Sequence, residues 1–189
     1  MSHASVDLVF WGVLLAALLL AAGALGWRRR GSVAARRHVR YQAGARRALQ
    51  VLRHIGPRQN PGRMFGYLRK VGPLIFEEMI LTELEDRGYE IRRSKRYSGD
   101  GGVDGGFFLD GQRYLIQAKR YAKHVNPQHV GHFIRLCERR NVAGLFVHTG
   151  RTGRASWERE GGSRHVRIIS GDDLVKFFGG EPIRLGRSR

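Results

Sequence analysis

Gly105-Gly106-Phe107-Phe108-Leu109-Asp110-Gly111-Gln112-Arg113-Tyr114-Leu115-Ile116-Gln117-Ala118-Lys119 reads as a β-hairpin. The apolar run Phe107-Phe108-Leu109 is the outgoing strand and Arg113–Gln117 the returning one. Asp110-Gly111 between them is a residue pair that tolerates the positive φ angles a tight two-residue turn demands. Just upstream, Gly99-Asp100-Gly101-Gly102-Val103-Asp104 is a glycine-rich turn carrying acids. Gln117 and Lys119 stand two apart on the returning strand, so both point to the same face.

Outward from the hairpin, the chain alternates helices and strands. Pro73 opens a helix that puts Phe76, Ile80, Leu81 and Leu84 on one face, runs to Arg87 and ends at Gly88. Tyr89–Arg93 reads as a strand. On the other side of the hairpin, Asn126-Pro127 start a helix to Arg139, and Val142–His148 is a short apolar run of the kind buried in parallel pairings. A helix at Arg154–Glu160, a strand at Val166–Ile169 and a helix at Gly171–Phe178, with Ser170 or Asp172 placed to cap it, close the pattern. The order predicts a three-layer α/β domain with a mixed central sheet over residues 73–189.

The 189 residues carry a net charge of +18, which points to a polyanionic partner, either nucleic acid or the anionic face of a membrane. The excess is uneven: residues 28–72 hold 13 Lys/Arg and no Asp or Glu. The single cysteine, Cys137, excludes an intramolecular disulfide framework and a multi-cysteine zinc site, and is expected as an inert core residue. His124, His129, His132 and His148 have no metal-ligand spacing and are expected as surface or core histidines.

Leu8 to Trp27 is 20 residues without a charge, the length that crosses a bilayer core, with Trp11 and Trp27 near its two ends. Arg28, Arg29, Arg30, Arg36, Arg37 and Arg40 follow it, while the preceding flank carries Asp7 and no Lys or Arg. The expectation is an anchor over residues 1–27 with a single transmembrane helix at residues 8–27, in the inner membrane, and residues 28–189 in the cytoplasm. A signal peptide would need a basic segment before the apolar run. Residues 28–72 are expected as a basic juxtamembrane linker, helical in part through Val39, Leu49, Leu52 and Ile55, with its arginines against lipid headgroups. The alternative is an extra DNA-holding arm, against which the lack of aromatics among the arginines argues.

The chemistry concentrates near the hairpin. Asp104 precedes a strand where glycines allow backbone and phosphate to approach closely. Glu77 follows the core-facing Phe76, a position from which it can project toward the sheet; the alternative is that Glu78 is the inward acid and Glu77 a solvated one. With the Gln117 oxygen, Asp104 and Glu77 make a cradle for a hard divalent cation, Mg²⁺ or Mn²⁺. Lys119 is placed to position or activate a water. Asp100 reads as a turn residue. Arg120, Lys123, Arg151 and Arg154 lie past strand ends and are candidate phosphate contacts.

In this order and on these elements, the pieces resemble the Mrr-type restriction endonuclease domain, a branch of the PD-(D/E)xK nuclease superfamily. The resemblance runs from Pro73 to Gly179. It is carried by Phe76-Glu77 with Gly88-Tyr89, by Gly99–Asp104, by Gln117-Ala118-Lys119-Arg120-Tyr121, and by Leu145–Gly150 with Ala155. It implies a restriction-endonuclease-like fold and divalent-metal-dependent hydrolysis of DNA, with Glu77, Asp104, Gln117 and Lys119 catalytic and foreign or modified DNA as the target. Gln117 stands where the superfamily more commonly has an acid, although the Mrr branch carries glutamine there. One negative charge fewer loosens the hold on metal. Cutting two strands calls for two sites, hence an expected homodimer. The alternative is a nuclease-like module that binds nucleic acid at the membrane without cutting, against which the full set of four residues argues.

Overall fold

The computed structural model describes residues 37–94 and 102–182, together with Trp11, Leu19 and Leu20. The chain divides into two compact units, Met1–Arg40 and Tyr41–Arg189. Apart from Trp11, Leu19 and Leu20, the expected membrane span lies outside the described residues, as do Gly99, Asp100 and Gly101. Among the described residues no helix is long and apolar enough to cross a membrane.

Helix α1 runs over residues 37–55, and the second unit begins within it at Tyr41. Then follow α2 (Pro61–Leu68), α3 (Pro73–Asp86), β1 (Glu90–Arg93), β2 (Gly105–Leu109), β3 (Gln112–Lys119), α4 (Pro127–Arg140), β4 (Ala143–His148), α5 (Arg154–Gly162), β5 (Val166–Ile169) and α6 (Gly171–Phe178). Proline at the first turn of α2, α3 and α4 supplies a φ already suited to a helix and lacks an N–H that would have no partner there. Asn126 caps α4, accepting from the Gln128 N–H at 2.9 Å, and Asn141 ends it in the left-handed conformation. Ser170 is the N-cap residue of α6, but its hydroxyl bonds Thr152 Oγ1 at 2.7 Å and leaves the helix end without a side-chain cap.

The five strands form one mixed sheet in the order β1-β2-β3-β4-β5. β1, β2 and β3 pair antiparallel, and β3, β4 and β5 pair parallel through the α4 and α5 crossovers. The β2–β3 turn has φ of 50° at Asp110 and 74° at Gly111, the left-handed pair whose twist matches that of the flanking strands.

Strand alternation sorts the core into two layers. Ile116, Ala118, Leu145, Val147 and Ile169 face helices α1, α2, α3 and α6, while Leu115, Phe146, Val166 and Ile168 face α4. The expected three-layer domain is present, with a larger first layer than the sequence implied. Residues 41–72 are not a solvated linker: Ala45, Ala48, Leu49, Leu52, Met64 and Leu68 are all buried in the first layer. The helical spacing of Leu49 and Leu52 reflects an apolar stripe that packs on protein. The arginines opposite are part of the same docking. Arg53 pairs with Asp86 at 2.9 Å, and Arg46 reaches Glu85 at 3.6 Å, at the acidic end of α3. The folded unit therefore starts at Tyr41, upstream of the Pro73 boundary.

Candidate active site

Asp104 lies just before β2, where two bonds tie it to β3. Its N–H donates to Ile116 O at 2.9 Å, and its Oδ2 accepts from the Ala118 N–H at 2.7 Å. Because Gly105 pairs with Ile116, Asp104 falls beside Gln117 and Ala118 at the far end of the hairpin. Gln117 is buried, its amide tucked against Gly102. A Cβ on Gly102 would stand 2.6 Å from Gln117 Nε2, and φ at Gly102 is +89°. Glycine is needed there for both room and backbone conformation. Lys119 ends β3 on the face of Gln117, in register with His148 on β4.

Glu77 reaches this group from α3, on the opposite layer. Its carboxyl is pushed up to about 7, first by burial and then by the charge of Asp104, with Lys119 opposing. Asp104 is also raised, mainly by burial, against the lowering effects of the Ala118 N–H and of Lys119. Burial makes the anionic state of both acids costly, and Lys119 opposes the rise in each.

The adjacent acid, Glu78, has a different task. It is buried and pairs through Oε2 with Arg93 Nε at 3.0 Å, while the same guanidinium takes both oxygens of Glu85 at 2.8 and 2.7 Å. This clamp ties α3 to β1 and sets the angle from which Glu77 approaches the sheet. Glu78, the alternative inward acid in the sequence, is the more buried of the two but is engaged by Arg93, which had not stood out. A second glutamate beside Glu77, with an arginine on the next strand, was the available signal.

The four basic residues proposed as phosphate contacts separate. Arg120 gives one nitrogen to Arg69 O at 2.5 Å, which binds the end of β3 to the end of α2. Lys123 and Arg151 are exposed and lie side by side, the Arg151 N–H donating to Lys123 O at 2.9 Å. Arg154 is on α5, paired with Glu158 at 2.7 Å. His148 is fully buried, whereas His124, His129 and His132 are exposed. Cys137 is buried, its thiol pushed up to about 12 by desolvation, and so is unreactive.

Among the described residues no three His, Cys, Asp or Glu side chains cluster as a metal cage. The donors present are two carboxylates and an amide oxygen. That set fits Mg²⁺ or Mn²⁺, which take one or two carboxylates and complete their shell with water and substrate phosphate.

Acids held at a cost beside an amide and a lysine, at the end of a mixed sheet wrapped by helices, are the equipment of a nuclease. The restriction endonuclease family model Mrr_cat matches residues 68–178, more than half of the chain, and the chain belongs to that family. The domain is thus a nuclease domain of the PD-(D/E)xK type. No curated protein and no solved structure matches the chain. The matched stretch leaves out α1 and all but the last residue of α2, which nevertheless supply part of the core.

Proposed function

We propose that this protein is a divalent-metal-dependent DNA endonuclease acting on foreign or modified DNA, with Glu77, Asp104, Gln117 and Lys119 as its reactive set. The observation that carries this reading is the Glu77 carboxyl at about 7, raised by burial and by Asp104. Desolvated acids placed together beside a lysine are a common arrangement at reactive sites, and a bound cation would offset their repulsion. Mg²⁺ or Mn²⁺ held by Asp104, Glu77 and the Gln117 oxygen would polarise the scissile phosphate and lower the pKa of a water.

The chain's own residues do the rest. Asp104 is fixed by the Ala118 N–H, so its orientation is set before substrate arrives. Glu77 is pushed up to about 7, so it would hold its proton more readily than an ordinary carboxyl until a cation is bound beside it. Lys119 orients the attacking water and offsets charge on the phosphate. Lys123 and Arg151 hold the flanking backbone. Opposite strands need two such sites, which a homodimer supplies. The uncharged stretch Leu8–Trp27 and the arginines after it support tethering to the inner membrane, with the nuclease domain on the cytoplasmic side.

The test uses the full-length protein in detergent, incubated with methylated and unmethylated plasmid and Mg²⁺ or Mn²⁺. Nicking that disappears in EDTA and in Lys119→Ala supports the reading. If wild type cuts no better than Lys119→Ala on either plasmid, the protein is instead a nuclease-like binding module.

A further inference from the structure

A cleft of about 520 Å³ opens at the carboxyl ends of β4 and β5, next to the reactive set and separate from it. In open α/β sheets this edge is where ligands are held. Its wall touches the site: Thr149, which lines the cleft, donates its N–H to Lys119 O at 3.3 Å. Adjacent strands are roughly 4.8 Å apart, so the cleft lies one strand over from Lys119, within reach of a nucleotide next to one bound there.

The lining has three kinds of chemistry. Trp157 on α5 and Phe65 on α2 are aromatic. Trp157 is 46% exposed, and among the described residues of the Tyr41–Arg189 unit only Val51 is a comparably exposed large apolar side chain. Arg69 is held in place, its guanidinium 5.5 Å from the Phe65 ring centroid and its Nη2 bonded to Thr149 O at 3.2 Å. Arg151, at the cleft's edge, is exposed and makes no ion pair among the described residues. Asp172 is exposed in the first turn of α6, and Asp173 is already held by Arg167 at 3.0 Å. The floor is rigid: Thr152 Oγ1 bonds both His148 Nε2 at 3.1 Å and Ser170 Oγ.

We infer that this cleft receives an unstacked nucleobase of the DNA held at the reactive set. An exposed indole offers a plane on which a base stacks. A carboxylate at the α6 end repels a phosphate and accepts from base N–H groups, so the base enters and its phosphate stays outside with Arg151. The pairing edge of guanine shows two adjacent N–H donors, which match one carboxylate, whereas thymine shows a single N–H between two carbonyls. Guanine is therefore the preferred occupant.

This inference rests on the DNA reading above, and the experiment separates the two. Full-length protein in detergent and EDTA is titrated with four duplexes by fluorescence anisotropy: fully paired, with one bulged guanine, with one bulged thymine, and with one bulged abasic sugar. A bulged base is already unpaired, so its capture costs less than extrusion from a paired duplex. Wild type is expected to bind the guanine bulge about tenfold more tightly than the paired duplex, a stacking-sized gain. The abasic bulge, which bends the duplex equally, should show no gain, and the thymine bulge should fall between. Trp157→Ala should abolish the gain while leaving affinity for paired DNA unchanged, and Asp172→Asn should narrow the gap between guanine and thymine. Equal affinity for paired and bulged duplexes, or a full gain in Trp157→Ala, overturns the inference and leaves the nuclease reading standing. Absence of binding to any duplex overturns both.

Discussion

Replacing Asp104 separates its two roles. In the folded protein Oδ2 accepts from the Ala118 N–H at 2.7 Å, and Ala118 is 2% exposed. Burial raises the same carboxyl, against the lowering effects of the Ala118 N–H and Lys119. Asp104→Asn keeps an acceptor oxygen and removes the charge. Asp104→Ala removes both and leaves a buried N–H without its partner, a loss of about 1–3 kcal/mol. A carboxylate raised on folding opposes stability at neutral pH, so Asp104→Asn should be at least as stable as wild type. Asp104→Ala should then be less stable than Asp104→Asn by about 1–3 kcal/mol, and both should be inactive. Urea unfolding at pH 7 measures the first difference and plasmid nicking the second. Carbon-13 titration of the Glu77 carboxyl adds a third readout. In Asp104→Asn it should fall from about 7 toward its ordinary value of 4.5 and stay above it, because burial is the larger cause of its shift. Equal stability of the two variants, or an unmoved Glu77 titration, would refute the assignment of hydrogen bond and charge to Asp104.

Glu77→Gln should stabilise the protein at pH 8 and not below pH 4.5. The folded carboxyl at about 7 binds protons that the unfolded one has released, so wild-type stability falls as pH rises from 4.5 through 7. Allowing for partial exposure, the gain at pH 8 is about 1–3 kcal/mol, or several degrees in Tm, read by calorimetry across pH. A gain independent of pH would sink the argument. A fragment starting at Pro73 lacks the buried Leu49, Leu52, Met64 and Leu68. At about 1.5–3 kcal/mol per large side chain, the loss approaches the whole stability of a domain. Residues 73–189 should show no cooperative thermal transition by circular dichroism, while residues 41–189 should melt as one unit. Similar melting of both would show that α1 and α2 add little.

Most of the strand and helix pattern was readable because it is local. Asp110-Gly111 between two apolar runs specifies a hairpin whatever surrounds it, and Pro73, Asn126-Pro127 and Gly88 mark helix ends through the backbone geometry they allow. The basic segment was misleading for a related reason. Arginines spaced along a helix look the same in sequence whether they face lipid or the acidic end of another helix. The docking of Arg46 and Arg53 onto Glu85 and Asp86 exists only once α3 is in place. The Glu77–Glu78 pair was ambiguous because neighbours on a helix differ by a rotation of about 100°, and the sequence does not state where the sheet lies.

The sequence by itself determined that Gln117 and Lys119 share a face, that acids precede the hairpin in a glycine-rich turn, and that the sheet is mixed, since each follows from preferences spanning a few residues. Tertiary structure alone decided that Glu77, on a helix from the opposite layer, is pushed up to about 7 by burial and by Asp104. It alone set a tryptophan, two arginines and two aspartates around one cleft beside Lys119. Desolvation and charge interaction depend on what packs against a group, and here those neighbours come from distant parts of the chain.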